Sequence, residues 1–137
     1  MKKTLLIIGL ILLSTVLVFG CFKDKSKNNP LAYTQLKMEK LSNEEQLSKW
    51  ILNNKDKEGL YSEVINGQTY LLIVGSTQNT VGYNIHLKDL YSDDDYLYVD
   101  YSIIEPPKDS VVTTALDNPF LVAKLKGKPE FQRAIKF

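Results

Sequence analysis

The stretch LYSEVINGQTYLLIV, residues 60–74, decides the fold. Asn66-Gly67 stands between two runs rich in β-formers. That dipeptide accepts the positive φ angles of a two-residue hairpin turn, so strands are predicted over 60–65 and 68–74. The second run reads YLLIV, apolar at every consecutive position. A strand with one wet face alternates; this one does not. It is expected to lie centrally, covered on each side, once by a helix.

That helix is expected upstream, in LSNEEQLSKWILNN, residues 41–54. Ser42 with Glu45 three places on spells a capping box. Leu47, Trp50 and Ile51 share one helical face, which makes Trp50 a core anchor rather than a ligand stacker. Gly59 ends the segment. Downstream the period is two. Over 82–88, Tyr83, Ile85 and Leu87 should turn inward, with Asn84, His86 and Lys88 outward. Over 96–104, Leu97, Val99, Tyr101 and Ile103 share one face; Tyr96, Tyr98 and Asp100 share the other. Residues 111–116, residues 119–125 and the terminal FQRAIKF add three strand candidates. The fold class expected is α+β, mostly β: a small antiparallel β-sandwich or barrel preceded by one amphipathic helix.

The front of the chain is different in kind. Lys2 and Lys3 precede an uncharged run from Leu5 to Phe19. About 20 apolar residues are needed to span a bilayer, and this run is shorter. A basic start, a short apolar stretch and the small Gly20 fit a secretory signal. Val18, Phe19, Gly20 and then Cys21, the lone cysteine, resemble a bacterial lipoprotein signal. The resemblance implies cleavage before Cys21 and a thioether from its sulfur to a diacylglyceryl group. It also disposes of an unpaired, oxidisable thiol. The domains expected are a signal peptide over 1–20, a lipid-anchored flexible tether over 21–30 and one β-rich domain over 31–137. The protein is then held at the cell membrane by its lipid, on the extracytoplasmic face.

The whole chain carries a formal charge of +1. Without residues 1–20 it has 15 basic and 16 acidic side chains, which gives no footing for nucleic acid. His86 is the one histidine, and zinc takes four ligands as a rule; it reads as a surface residue. Asp93, Asp94 and Asp95 lack the alternation, glycine and distal glutamate of a calcium loop, and read as a solvated hairpin turn. No nucleophile elbow and no glycine-rich phosphate loop occurs. No catalytic residue, metal or cofactor is therefore assigned, and the chain reads as a non-enzyme. Tyr96 and Tyr98, outward on one strand, offer a surface patch. Two loops remain: Thr80, Val81, Gly82 and Tyr83 before one strand, and Pro106, Pro107 and Lys108 after another. Gly82 permits close backbone approach and the proline pair is stiff. Turn chemistry alone also accounts for each.

Taken in order, YLLIVGSTQNTVGYNIHL, YLYVDYSIIEPP and VVTTALDNPFLVAKL resemble the C-terminal domain of the PrcB family, over roughly residues 68–126. Thr80, Gly82 and Tyr83 match the family's loop, and Val81 stands in for its first glycine. Pro106, Pro107 and Pro119 match its proline-marked segments. The family is named for a lipoprotein subunit of a spirochaetal surface protease complex. The resemblance implies a non-catalytic accessory or stabilising subunit of an extracytoplasmic protease, with residues 80–83 and 106–108 as protein-binding candidates. Two alternatives stand beside it. One is a protease inhibitor acting through end loops, since the loop pattern also resembles chagasin-like inhibitors. The other is a ligand-binding or structural envelope lipoprotein.

Overall fold

The computed structural model describes residues 29–41 and 44–137. The lipoprotein signal, Cys21 and most of the expected tether lie outside the described residues. Among the described residues eight strands form: β1 (Asn29–Pro30), β2 (Tyr33–Gln35), β3 (Gly59–Ile65), β4 (Gln68–Val74), β5 (Asn84–Ser92), β6 (Tyr96–Ile104), β7 (Phe120–Leu125) and β8 (Arg133–Lys136). Two helices, α1 (Met38–Leu41) and α2 (Glu45–Asn54), fall between β2 and β3. One sheet runs β1-β5-β6-β8, the other β2-β7-β4-β3. The two sheets are separate ladders packed as a sandwich, not a closed barrel.

The Asn66-Gly67 hairpin is as expected. Both residues have positive φ, 51° and 74°, and β3 pairs β4 in unbroken register from Gly59–Val74 to Ile65–Gln68. β4 lies inside its sheet, between β3 and β7. Leu71 and Ile73 enter the core between the sheets, with Ile85, Leu87 and Leu90 of β5, Leu97, Val99 and Tyr101 of β6, and Leu121, Ala123 and Leu125 of β7. Tyr70, Leu72 and Val74 face the other way, onto Leu41, Leu47 and Ile51 of the helices. The uniform apolar run is thus a strand with a core on each face. Trp50 packs against the second core as an anchor.

The N-terminal part departs from expectation in its details. β1 and β2 precede the helices. β1 joins Asn29 and Pro30 to β5, so ordered pairing starts two residues before the expected domain boundary. The chain then crosses sheets at once: the Leu31 N–H donates to the Leu90 carbonyl and Tyr33 pairs with Leu125. The helix predicted over 41–54 is broken into α1 and α2. Glu44, in extended geometry, takes the N-cap position of α2 without a side-chain cap bond. Glu45 is therefore the first helical residue rather than the third, and its carboxylate complements the helix dipole there. Ser42, the other half of the expected capping box, lies outside the described residues. The Ser48 hydroxyl donates to the Leu41 carbonyl, which ties the two helices together.

Three strand readings change. The strand expected over 82–88 starts at Asn84 and runs on to Ser92 through a bulge between Leu87 and Asp89. Lys88 and Asp89 are consecutive polar residues that break a strict alternation; the bulge absorbs the extra one and returns Leu90 to the core. Residues 111–116 form no strand but an exposed, irregular stretch. The terminal strand exists, but it pairs β6 in parallel, Tyr96 with Arg133 through Val99 with Lys136. Lys136 Nζ sits 4.3 Å from the centre of the Tyr101 ring, fastening that edge.

The two-sided burial of β4 yields a direct expectation. Leu72 is fully buried while Leu52 on α2 is 61 % exposed. Leu72→Ala should cost about 2–5 kcal/mol, and Leu52→Ala no more than about 0.5 kcal/mol, both read by urea denaturation of the purified chain.

Candidate protein-interaction site

β4 ends at Val74, β5 begins at Asn84, β6 ends at Ile104 and β7 begins at Phe120. Val74 pairs with Phe120 and Asn84 with Ile104, so the loops 75–83 and 105–119 leave the sandwich together. They are sutured at their bases. The Gly75 N–H donates to the Pro119 carbonyl at 2.8 Å, and Asn118 Nδ2 donates to the Gly75 carbonyl at 2.9 Å. Gln78 and Asp117 exchange backbone bonds of 2.7 and 3.0 Å. Further out, the Val81 N–H donates to the Thr113 carbonyl at 3.1 Å.

Two glycines make this closeness possible. A Cβ on Gly75 would stand 3.0 Å from Ile103 Cδ1 and from Pro119 Cγ, so the β4 exit admits no side chain. Gly82 has φ +105°, and a Cβ there would lie 3.2 Å from Pro106 Cβ and 3.7 Å from Val112 Cγ1. The structure therefore brings Gly82 against Pro106, two residues that lie 24 apart in the chain. Thr80, Val81 and Tyr83 are half-buried around them, while Pro107 and Lys108 are exposed at the rim.

The apolar part of this end is masked in the sequence, because VVTTAL has the composition of a strand. In the structure Val111 is fully exposed and Leu116 is 77 % exposed, with Ile104 and Val112 partly so. Two signals in the sequence bear on this. VVTTAL does not alternate, and it is bracketed by Pro106-Pro107 and by Asp117-Asn118-Pro119, turn formers on both sides. A fifteen-residue connection in a domain this small is long, and such loops tend to carry function.

Both loops lie within one segment, and that segment has a match. Residues 69–126 match the PrcB C-terminal family model. No curated protein and no solved structure matches the chain. The PrcB segment covers less than half of the chain. It opens at Thr69, one residue into β4, and closes at Lys126, one residue past β7. It holds β4 through β7 and both end loops, and leaves out the helices, the β3 edge and β8. The PrcB family is associated with a subunit of a protease complex.

The remaining candidates lie elsewhere. His86 is exposed on the outer face of its sheet, opposite Ser102. Among the described residues, no three His, Cys, Asp or Glu side chains converge to hold a metal. Asp93 organises the β5–β6 turn, at the other end of that hairpin. Its Oδ1 accepts the N–H groups of Asp95 and Tyr96 at 2.8 and 2.7 Å, and its Oδ2 accepts the Tyr98 hydroxyl at 2.8 Å. These bonds, the Tyr96 N–H foremost, hold the Asp93 carboxyl below its ordinary value. Tyr98 stacks on Tyr91 at 4.7 Å, with Phe137 edge-on to both. Among the described residues no helix covers Tyr96 and Tyr98; α2 packs on the other sheet.

Two expectations follow from these geometries. Gly82→Ala places a side chain at a strained φ and against Pro106. It should cost about 1–3 kcal/mol and speed hydrogen exchange at the Val81 amide. For Asp93 the folded carboxyl is more acidic than the unfolded one. Its contribution is whole above about pH 4, the ordinary carboxylate value, and is lost as pH falls through the lowered folded value. The Tm difference between the natural chain and Asp93→Asn should hold steady from pH 7 to 5 and shrink below about pH 4.

Proposed function

We propose that this chain is a non-catalytic accessory subunit of an extracytoplasmic protease, anchored through a lipidated Cys21 and meeting its partner with the end formed by loops 75–83 and 105–119. The observation that carries the reading is the position of the match. The PrcB C-terminal segment, 69–126, contains both loops, and the structure joins them through Gly82 and Pro106. The sutured base suits protein contact because it loses little entropy on docking, and Val111 and Leu116 above it offer apolar surface. Thr80 to Tyr83 and Pro106 to Lys108 frame that end, and Val111 and Leu116 are its most exposed apolar groups. A lipidated Cys21 would keep the domain outside the cytoplasm, and the nine steps from Cys21 to Pro30 span at most about 32 Å.

The test is isolation of the tagged full chain from detergent-solubilised membranes of its native cell. A protease should co-purify, and Lys108→Glu with Leu116→Asp should reduce its recovery at least tenfold without lowering Tm. An intact, folded chain that brings down no protease overturns the reading. Intact mass measurement should show a diacylglyceryl group on Cys21 and no residues before it. The exposed stretch around Val111 also favours a second reading, an inhibitor that offers this loop to the active-site cleft. The recovered protease separates the two: added chain preserves or raises its activity if it is a subunit, and lowers it if it is an inhibitor.

A further inference from the structure

We propose that Ser110 to Leu116 is a proteolytic processing site, cut by an endopeptidase that takes small aliphatic side chains, and that the nicked chain stays one folded body. Pro107 through Leu116 are ten consecutive exposed residues, and among the described residues no other exposed run exceeds three. An endopeptidase binds its substrate as an extended chain on both sides of the scissile bond, so it needs a run that is exposed and free to adapt. Exposed loop tips meet that need, and packed strands do not. From Val111 to Leu116, one backbone bond among the described residues ties the segment to the domain, that of the Thr113 carbonyl with the Val81 N–H. Pro106-Pro107 on one side and Pro119 on the other are poor substrates for backbone binding, which confines the cut to the stretch between them. Val111, Val112, Ala115 and Leu116 supply the aliphatic side chains.

Hydrolysis adds one water across the peptide bond. The carbonyl carbon ends as a carboxylate on the upstream fragment, and the nitrogen becomes the ammonium of the downstream one. The fragments remain joined because the downstream piece carries β7. β7 lies inside its sheet between β2 and β4, with Leu121, Ala123 and Leu125 in one core and Val122 in the other. The sutures bind Gly75 and Gln78, upstream of the cut, to Asp117, Asn118 and Pro119, downstream of it, and so hold the two fragments together. The product differs from the intact chain in one place: the apolar loop is opened into two charged ends at the candidate interaction surface.

The inference stands on the loop's exposure and does not depend on the partner proposed above. A chain that binds no protease in its own cell would still be cut here by a purified one, so the two failures are distinguishable. The full chain, in detergent, is treated with trace elastase, whose specificity pocket is small, and in parallel with subtilisin. Intact masses are followed over time. Within residues 29–137 the first cut should fall between Ser110 and Leu116 with both enzymes, at least tenfold faster than any other. The nicked chain should elute from a sizing column with the intact one and separate only in denaturant. A first cut elsewhere, fragments that part without denaturant, or a loop left whole after the enzyme has digested an unfolded control would each overturn it. A whole loop with the enzyme inhibited would assign the segment to inhibition instead.

Discussion

Everything in this domain is arranged around a strand that must be dry on both faces. Tyr70 to Val74 exposes almost nothing to water. Leu71 and Ile73 require a second sheet on one side, and Tyr70, Leu72 and Val74 require a helix on the other. No single layer can satisfy both, so a sheet, a sheet and a helix stack in that order. The ladder partners follow from the same demand. β4 cannot be an edge, because edge groups need water or a partner; β3 and β7 close it on either side.

The loop end inherits its position from that strand. β4 leaves the core at Gly75, where Ile85, Ile103 and Pro119 leave no room for a side chain. The chain then turns outward and is stitched to the returning 105–119 segment by Gln78, Asp117 and Asn118. The base of the loop pair is therefore rigid while its tip carries Val111 and Leu116 into water. A fixed base and an apolar tip suit both parts of the reading, contact with a protein partner and access to an endopeptidase. The β5–β6 turn is of another type. There Asp93 folds the chain back by accepting two backbone N–H groups, and Asp95 accepts the backbone and side-chain N–H groups of Gln132.

The matched segment, 69–126, takes in the most buried strand and the most exposed loop together. It omits α2, although α2 covers one face of β4. The second core is thus completed by residues from outside the segment: Leu41, Leu47, Ile51 and Ile65. The aromatic group of Tyr91, Tyr96, Tyr98 and Phe137 is distinct again, on the outer face of the other sheet, joined by ring contacts and by the Tyr98 hydroxyl donated to Asp93.

What the residues determined by themselves is local or periodic. Asn66-Gly67 required a tight turn, because its backbone conformations are open to few other pairs. YLLIV required cover on two sides, because no face of it is polar. Leu97, Val99 and Tyr101 required one common inward face, because a strand repeats every two residues. The tertiary structure decided what depends on distant partners. The bulge at Lys88 was set by the need to return Leu90 to the core. VVTTAL has the composition of a strand, yet no described strand offers it a ladder, and composition without a partner leaves a loop. β8 lies parallel to β6 because the connection after β7 brings the chain back in the direction of β6. The meeting of Gly82 with Pro106, on which the candidate site rests, is a contact between residues 24 apart in the chain; it follows from the pairing of Asn84 with Ile104, which only the folded hairpin brings about.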